Sequence, residues 1–385
     1  MFLICIVASL VSCGHEHQWG EWETVKEATS LEEGEKTRRC ECGEIEIQFI
    51  PTLDHDGTLG LSFELLSNGT YSVSYGEAKS SEIIIPSKYK GKNVTKIADN
   101  AFKDKDLISI TIPSTITSIG SNAFQSCSFT SLTIPDSVVT IGFGALRKCN
   151  KLEELTIPFA GSSKYASADT AYFGFIFGCE NNTYQEIALT SHIPRTLSTV
   201  TITSATSIGE RAFAYCESID YIHLPNTLSR IDAYAFQKCG IKEIVIPGSI
   251  NYMGTGVFAW CEKLQKATFE QGVKSIETMT FHLCVALNEI YIPDSVYKIG
   301  EYAFWKCTSL TSITIPESVT TISKGAFDDC TNLSSVIFEN STGWKIQGYS
   351  SSQTSNLSSS KLSDKSTAAT YLAKTYTEYN WIRTE

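Results

Sequence analysis

Residues 287–332 read LNEIYIPDSVYKIGEYAFWKCTSLTSITIPESVTTISKGAFDDCTN, which is one pattern written twice. Each copy opens on leucine, alternates aliphatic and polar residues up to a proline, and closes on Ala-Phe with a cysteine three positions after the phenylalanine. This spacing of an aromatic or aliphatic residue from cysteine recurs nine times between residues 100 and 330, and the last five steps, from Cys216 to Cys330, are 23, 22, 23, 23 and 23 residues. A fixed period of this length is the signature of a solenoid, in which each repeat packs only on its neighbours.

The shared pattern predicts the structure of one repeat. Its alternating first part, as around Ile290 and Ile292, is typical of a β-strand with one buried side. The proline that follows ends the strand because it has no N–H to donate. The Ala-Phe-x-x-Cys segment has the spacing of one turn of α-helix or 3₁₀ helix. The sequence therefore predicts a β-rich solenoid of about ten full or partial units, each of about 23 residues with a short helical or 3₁₀ turn.

Composition changes divide the chain into five segments. Residues 1–13 are an apolar leader, residues 14–56 are a polar module with two tryptophans, and the repeats fill residues 83–344. Residues 57–82 carry an Asn-Gly pair between two alternating segments, which is a hairpin signature, and we expect this hairpin to form the N-terminal cap. Residues 345–385 combine a Ser/Thr-rich stretch with a C-terminal cap.

One interval breaks the repeat. After Ile157-Pro158 the pattern is lost until Val200, so residues 159–199 form an irregular insert. Insertions in a solenoid go to loops, often on the binding side. The insert is therefore either a binding loop or a structural bulge without a ligand, and we favour the bulge.

The first residues predict export. Residues 1–12 are apolar but too short to span a bilayer, and they end in small residues as a secretory signal does. The segment Leu10-Val11-Ser12-Cys13 looks like a bacterial lipobox, in which Cys13 becomes the mature N-terminus and carries the lipid anchor. The usual positive charge before the apolar run is missing. We expect an extracellular protein held at the cell surface by that lipid alone.

The repeats resemble the BspA-like leucine-rich repeats of bacterial surface proteins. The resemblance rests on the pattern I-x-I-P-x-x-V-x-x-I-G-x-x-A-F-x-x-C, which residues 290–307 match closely, and it covers roughly residues 57–385. It implies that the units are leucine-rich repeats and that the protein has a surface-exposed binding or adhesion role without catalysis. Ligands vary within the family, so the resemblance names no partner.

The nine cysteines of the repeat are expected to be buried packing residues. Each occupies a fixed register beside an apolar residue, so each fills a small niche as an apolar thiol. Equivalent side chains of stacked repeats point the same way, which is poor geometry for a disulfide. The nine repeat cysteines are therefore not candidates for a functional site.

The polar module at residues 14–56 contains side chains that could hold a metal. Tetrahedral zinc favours such a donor set, although the spacing is irregular. The alternative is a small β module capped by Trp19 and Trp22, which we favour. The candidate ligands are His15, His17, Cys40 and Cys42, with His55 nearby in sequence.

Composition and motifs argue against two classes of function. The net charge is −11 and no Lys/Arg cluster is present, so nucleic-acid binding is not expected. The sequence has no G-x-S-x-G, no H-E-x-x-H and no G-x-x-x-x-G-K-[ST] motif. We therefore expect no catalytic residues, no enzyme activity and no cofactor apart from the zinc hypothesis above.

A partner site is predicted on the exposed positions of the repeat strands. At both ends of the array these positions are mostly Ser and Thr, whereas the middle is chemically richer. Tyrosine is enriched in recognition surfaces because it offers a large contact area and a polar tip. The predicted site consists of Tyr221, His223, Glu243, Lys266, Glu289 and Tyr291.

Three functions remain open at this point. The leading hypothesis is recognition of a protein or a glycan on a host or neighbouring cell. The first alternative is a structural spacer that binds nothing. The second is a metal-capturing lipoprotein that uses His15, His17, Cys40 and Cys42.

Overall fold

The structure is a computed structural model that describes residues 18–27, 34–50, 56–164, 166, 170–179, 192–348 and 354–384. Four residues of the sequence predictions, Cys13, His15, His17 and His55, lie outside these ranges.

The N-terminal part contains eight strands. They are β1 (Glu23–Lys26), β2 (Gly34–Arg39), β3 (Ile45–Ile50), β4 (Ser62–Leu65), β5 (Tyr71–Ser74), β6 (Glu82–Ile84), β7 (Lys88–Tyr89) and β8 (Lys92–Ile97). The first three form a separate antiparallel sheet in which Arg38 pairs with Glu46 at 2.6 Å and lies over the rings of Trp19 and Trp22.

The repeat region alternates longer and shorter strands. Its strands are β9 (Ser109–Thr111), β10 (Ser118–Ile119), β11 (Ser131–Thr133), β12 (Thr140–Ile141), β13 (Glu154–Ile157), β14 (Thr199–Ile202), β15 (Ser207–Ile208), β16 (Tyr221–His223), β17 (Arg230–Ile231), β18 (Glu243–Ile246), β19 (Tyr252–Met253), β20 (Lys266–Phe269), β21 (Ser275–Ile276), β22 (Glu289–Tyr291), β23 (Lys298–Ile299), β24 (Ser312–Ile315), β25 (Thr321–Ile322) and β26 (Ser335–Phe338). A 3₁₀ helix, η1, spans Phe173–Phe177.

The C-terminal part adds three strands and three short helices. They are β27 (Trp344–Gln347), β28 (Thr354–Asn356), helix α1 (Ser359–Leu362), helix α2 (Lys365–Thr370), a π-helix (Tyr371–Thr375) and β29 (Asn380–Arg383).

The repeats form a β-solenoid of about 11 turns of roughly 23 residues, which confirms the predicted fold class. Each turn, called a coil below, has three sides. The longer strands stack in parallel into the strand face, whose main sheet has the order β11-β13-β14-β16-β18-β20-β22. The shorter strands stack into the short-strand face, and the Ala-Phe-x-x-Cys segments stack into the turn face.

Alternation of side chains explains the strand face. In β18, Ile244 and Ile246 are buried, whereas Glu243 and Val245 point to solvent. Successive residues of a strand point to opposite sides of the sheet, so the aliphatic positions fill the interior and the positions between them are free for other side chains.

The turn face is a chain of tight turns. Cys307 donates its N–H to the carbonyl of Phe304 at 3.0 Å, a bond between residues three apart as in a 3₁₀ turn. Phe304 in turn donates to Ala326 of the next coil at 2.7 Å. Left-handed backbone at Tyr302 and Lys306, with φ of 53° and 58°, aims alternate N–H groups at the neighbouring coil instead of along a helix.

A ladder of phenylalanine rings fills the interior beside the turn face. Each ring is fully buried and stacks on the next at a nearly constant spacing: Phe236–Phe258 at 5.3 Å, Phe258–Phe281 at 5.6 Å, Phe281–Phe304 at 5.4 Å and Phe304–Phe327 at 5.0 Å. The ladder joins each coil to both neighbours, as a quasi-one-dimensional array requires.

The described parts of the irregular insert keep contact with the neighbouring coils. β13 pairs directly with β14 across it. The helix η1 takes the place of the Ala-Phe-x-x-Cys segment, and the ring of Phe173 packs on that of Phe213 in a tilted arrangement, with the ring centroids 4.8 Å apart. The N–H of Leu146 donates to the carbonyl of Ile176 at 2.8 Å. The described part of the insert therefore supplies a rung of the ladder.

Both ends of the array are covered. At the N-terminal end the predicted hairpin is present: β4 pairs with β5, and β5 joins β8. At the C-terminal end β29 pairs antiparallel with β25 and β27, and the buried Trp344 and Trp381 pack with Phe338.

Candidate binding surface

The strand face brings the predicted partner residues into two columns. The register of β14, β16, β18, β20 and β22 aligns Thr199, Tyr221, Glu243, Lys266 and Glu289 in what we call the first column. The second column, two residues further along each strand, contains Thr201, His223, Val245, Thr268 and Tyr291. Adjacent strands lie about 4.8 Å apart, so Tyr221 and Glu289 are separated by about 14 Å along the first column.

All six predicted side chains lie on the outside of this sheet. Tyr221 is 41% exposed and Tyr291 is 59% exposed. His223, Glu243 and Glu289 are exposed, and Lys266 is half-buried. The six residues therefore lie on one surface, as the alternation predicted, and their role in binding stays a prediction.

Charges on the two columns are arranged as pairs. Lys266 forms an ion pair with Glu289 of the next strand, and the hydrogen bond to this carboxylate raises the pKa of Lys266. Beside the first column, Lys242 pairs with Asp220 at 2.7 Å, and this bond raises the pKa of Lys242 in the same way. Each of these two lysines is therefore neutralised by the carboxylate it pairs with. Glu243 adds a further carboxylate next to Lys266.

A shallow depression of about 180 Å³ lies between β16 and β18. Tyr221 and His223 form one side, Glu243 and Val245 the other, and Leu224 lies at its end. Val245, which is 51% exposed, was absent from the predicted site. The alternation predicts that Val245 is exposed on its strand. An aliphatic side chain at such a position, however, gives no sequence signal that it contacts a partner.

The repeat cysteines contribute no reactive group to any surface. All nine are buried, which confirms their predicted burial. Most donate their thiol hydrogen to a phenylalanine carbonyl of the preceding coil, as Cys284 does to Phe258 at 3.1 Å and Cys330 does to Phe304 at 3.0 Å. Burial raises the pKa of Cys149 and Cys239 to about 12, so their thiolates are scarce at neutral pH. The sequence did not reveal this hydrogen bond.

The zinc hypothesis concerns residues that the structure covers only in part. Cys40 is buried and Cys42 is exposed. Within the described ranges, no three His, Cys, Asp or Glu side chains come together in a group that could hold a metal ion. Because His15 and His17 lie outside those ranges, the proposed ligand set stays a prediction.

Helices are short wherever the structure describes the chain. None of them is long and apolar enough to cross a membrane.

Comparison with known proteins gives one family and several solved structures. The sequence matches the family described as "BspA type Leucine rich repeat region" in six copies over residues 71–175, 185–310 and 274–375. No curated protein matches the chain.

Several solved structures similar to this chain are leucine-rich repeat proteins from bacteria. A leucine rich cell surface protein from Faecalibacterium prausnitzii is 22% identical, with 74% of this chain and 94% of that chain covered and a TM-score of 0.36. A leucine-rich repeat protein from Bacteroides ovatus is 23% identical, with coverage of 72% and 86% and a TM-score of 0.37. The leucine-rich repeat protein of T. pallidum is 20% identical, with coverage of 65% and 88% and a TM-score of 0.31.

Proposed function

Because the chain belongs to the BspA-type leucine-rich repeat family, we propose that it is a cell-surface binding protein that recognises a protein or glycan partner through its strand face. The contact residues in this proposal are Tyr221, His223, Glu243, Lys266, Glu289 and Tyr291, together with Val245. The solenoid acts as a rigid frame, and no chemical step is assigned to it.

The observation that carries the proposal is the clustering of large exposed side chains on a rigid sheet. Tyr221, Val245 and Tyr291 together offer apolar area to solvent, and the ion pair of Lys266 with Glu289 lies between them. Aromatic anchors beside polar groups are typical of protein recognition surfaces. Because the strands are fixed by their neighbours, these side chains lose little backbone freedom when a partner binds.

Double substitution of the two tyrosines tests the strand face. We expect Tyr221→Ala with Tyr291→Ala to weaken binding by about tenfold or more, since aromatic anchors dominate interface energies. Binding of the full chain to immobilised extracellular-matrix proteins and to a glycan array measures the effect. Tyr297→Ala is the matched control, because Tyr297 is also exposed, at 51%, but lies on the short-strand face. Equal binding by the double variant and the wild type would remove the strand face as the site.

Attachment to the membrane is a second part of the proposal. We place the protein outside the cell after export, anchored by a lipid on Cys13, on the strength of the lipobox-like segment that ends there. Expression of the wild type and of Cys13→Ala in a bacterial host, followed by phase partitioning and mass spectrometry of the N-terminus, tests this point. A Cys13→Ala protein that stays in the detergent phase to the same extent as the wild type would contradict lipid anchoring.

A further inference from the structure

The short-strand face has a seam between two neighbouring coils. Its strands pair in the order β15-β17-β19 and again from β21 to β23 and β25, but β19 and β21 belong to different sheets. The same two coils are joined on the strand face, where β18 pairs with β20. They are also joined on the turn face, where Gly256 donates to Thr278 at 2.9 Å. The opening is therefore local to one side of the solenoid.

A cavity of about 310 Å³ occupies this seam. Its volume is at the lower end of the range for small-molecule sites, so it suits one compact ligand. The lining includes Asn251, Tyr252, Thr255, Lys274, Ser275 and Glu277.

Tyr252 is one of the residues that line this cavity. The guanidinium of Arg230 lies 3.9 Å from the ring centroid, on the side of β17. Arg230 is held in turn by Asp232 at 2.6 Å. The corresponding position of the next coil is Ser275. Because the serine side chain is short, we expect the Tyr252 ring to be open to the cavity on that side. Tyr252 is 45% exposed, and Arg230 packs against its ring on the side of β17.

The rim of the cavity is polar but close to neutral. Glu277 accepts a hydrogen bond from the Ser275 hydroxyl and keeps further acceptor capacity. The positive charge of Lys274 balances the negative charge of Glu277, so a strongly charged ligand gains little. The amide of Asn251 adds both a donor and an acceptor.

The cavity has a flat aromatic wall, a rim with both hydrogen-bond donors and acceptors, and little net charge. These properties suit a neutral sugar. A pyranose ring has an apolar C–H face that stacks on an aromatic ring and hydroxyl groups around its edge. We propose that the seam cavity binds a single neutral pyranose unit, with its C–H face on Tyr252 and its hydroxyl groups toward Glu277 and Asn251. This site is separate from the strand face and does not depend on the function proposed for it.

The test uses the full chain and four methyl glycosides, those of glucose, galactose, mannose and N-acetylglucosamine. We expect at least one of them to give saturation-transfer NMR signals and a millimolar titration. Tyr252→Ala should lower the association constant by about tenfold, because the stacking wall is lost. Ser275→Leu should abolish binding by filling the cavity, and circular dichroism verifies that both variants keep the fold.

Two controls separate this site from other surfaces. Tyr297→Ala removes an exposed tyrosine of the same face outside the cavity and should bind like the wild type. Tyr379→Ala, which removes an exposed tyrosine of the C-terminal cap, should also leave glycoside binding unchanged. The proposal is overturned if none of the four glycosides binds, if binding survives in Tyr252→Ala and Ser275→Leu, or if Tyr297→Ala loses as much affinity as Tyr252→Ala.

Discussion

Single residues of the turn face set how closely two coils can approach. Gly325 has a φ of 66°, and a Cβ atom added there would lie 2.3 Å from a ring carbon of Tyr302 in the preceding coil. The same left-handed position is occupied by Tyr302 itself in its own coil. Glycine is therefore required at this position only where the neighbouring coil puts a ring against the backbone.

His282 is the residue at which stability should depend on pH. Its ring stacks on Trp305 at 4.5 Å and meets the edge of Trp260 at 5.1 Å. Burial and the nearby charge of Lys306 lower its pKa, and its Nδ1 atom is buried with no hydrogen-bond partner in the part of the chain that the structure describes. The unfolded chain, with a His pKa of about 6.5, therefore binds a proton more readily than the folded one.

It follows that folding stability contributed by this site is complete above pH 6.5 and falls as the pH drops below that value. Chemical unfolding at pH 7.5 and pH 5.0 measures the loss. His282→Phe keeps a ring between the two tryptophans but cannot be protonated, so we expect its stability to fall less between these pH values than that of the wild type. Identical losses in the two proteins would show that His282 does not contribute.

At the scale of the element, we expect the phenylalanine ladder to contribute most of the free energy that stabilises the stacked repeats. Phe281 is fully buried between Phe258 and Phe304 and also meets the edge of Phe269 at 5.9 Å. We expect Phe281→Ala to lower the free energy of unfolding by about 3–5 kcal/mol, through lost burial and the cavity left behind. Phe143→Ala is the control, because Phe143 is only partly buried. Urea unfolding compares the two, and similar losses would argue against the ladder as the principal source of stability.

The elements also show what the sequence could and could not predict. The strand face followed from alternation alone, because a period of two fixes which side of Ile244 and Ile246 is buried. The seam between β19 and β21 could not be predicted from the alternation, because it depends on how two coils pack together and not on the sequence pattern within either coil. The place of Phe173 in the ladder was not predicted either, because Phe173 lies six positions before Cys179, whereas the repeat has its phenylalanine three positions before the cysteine.

At the scale of the whole molecule, the C-terminal cap ends the array. A stack of parallel strands leaves an open edge on which further strands can pair, and β29 closes that edge by pairing antiparallel with β25. Trp381 fixes β29 through its contacts with Phe338 and Tyr376. The cap therefore protects both the interior and the edge.

Removal of the Trp381 side chain should release this cap. We expect Trp381→Ala to lower the free energy of unfolding by about 3–5 kcal/mol and to cause association that grows with protein concentration. Light scattering and thermal unfolding over a range of concentrations give both quantities. Tyr379→Ala serves as the control because Tyr379 is 38% exposed. A variant that stays monomeric and as stable as the control would show that β29 holds without Trp381.

The buried thiols have a consequence for the time course of folding. Most of these thiols gain their hydrogen bond only once the coil before them has stacked and offered its carbonyl, as Phe258 does for Cys284. Until then nine cysteines are open to solvent, and in an oxidising compartment each exposed pair can become a wrong cross-link. If the chain is exported as proposed above, we expect stacking of the coils to be faster than thiol oxidation. Rapid coil-by-coil assembly would then keep these thiols reduced, whatever the protein binds afterwards.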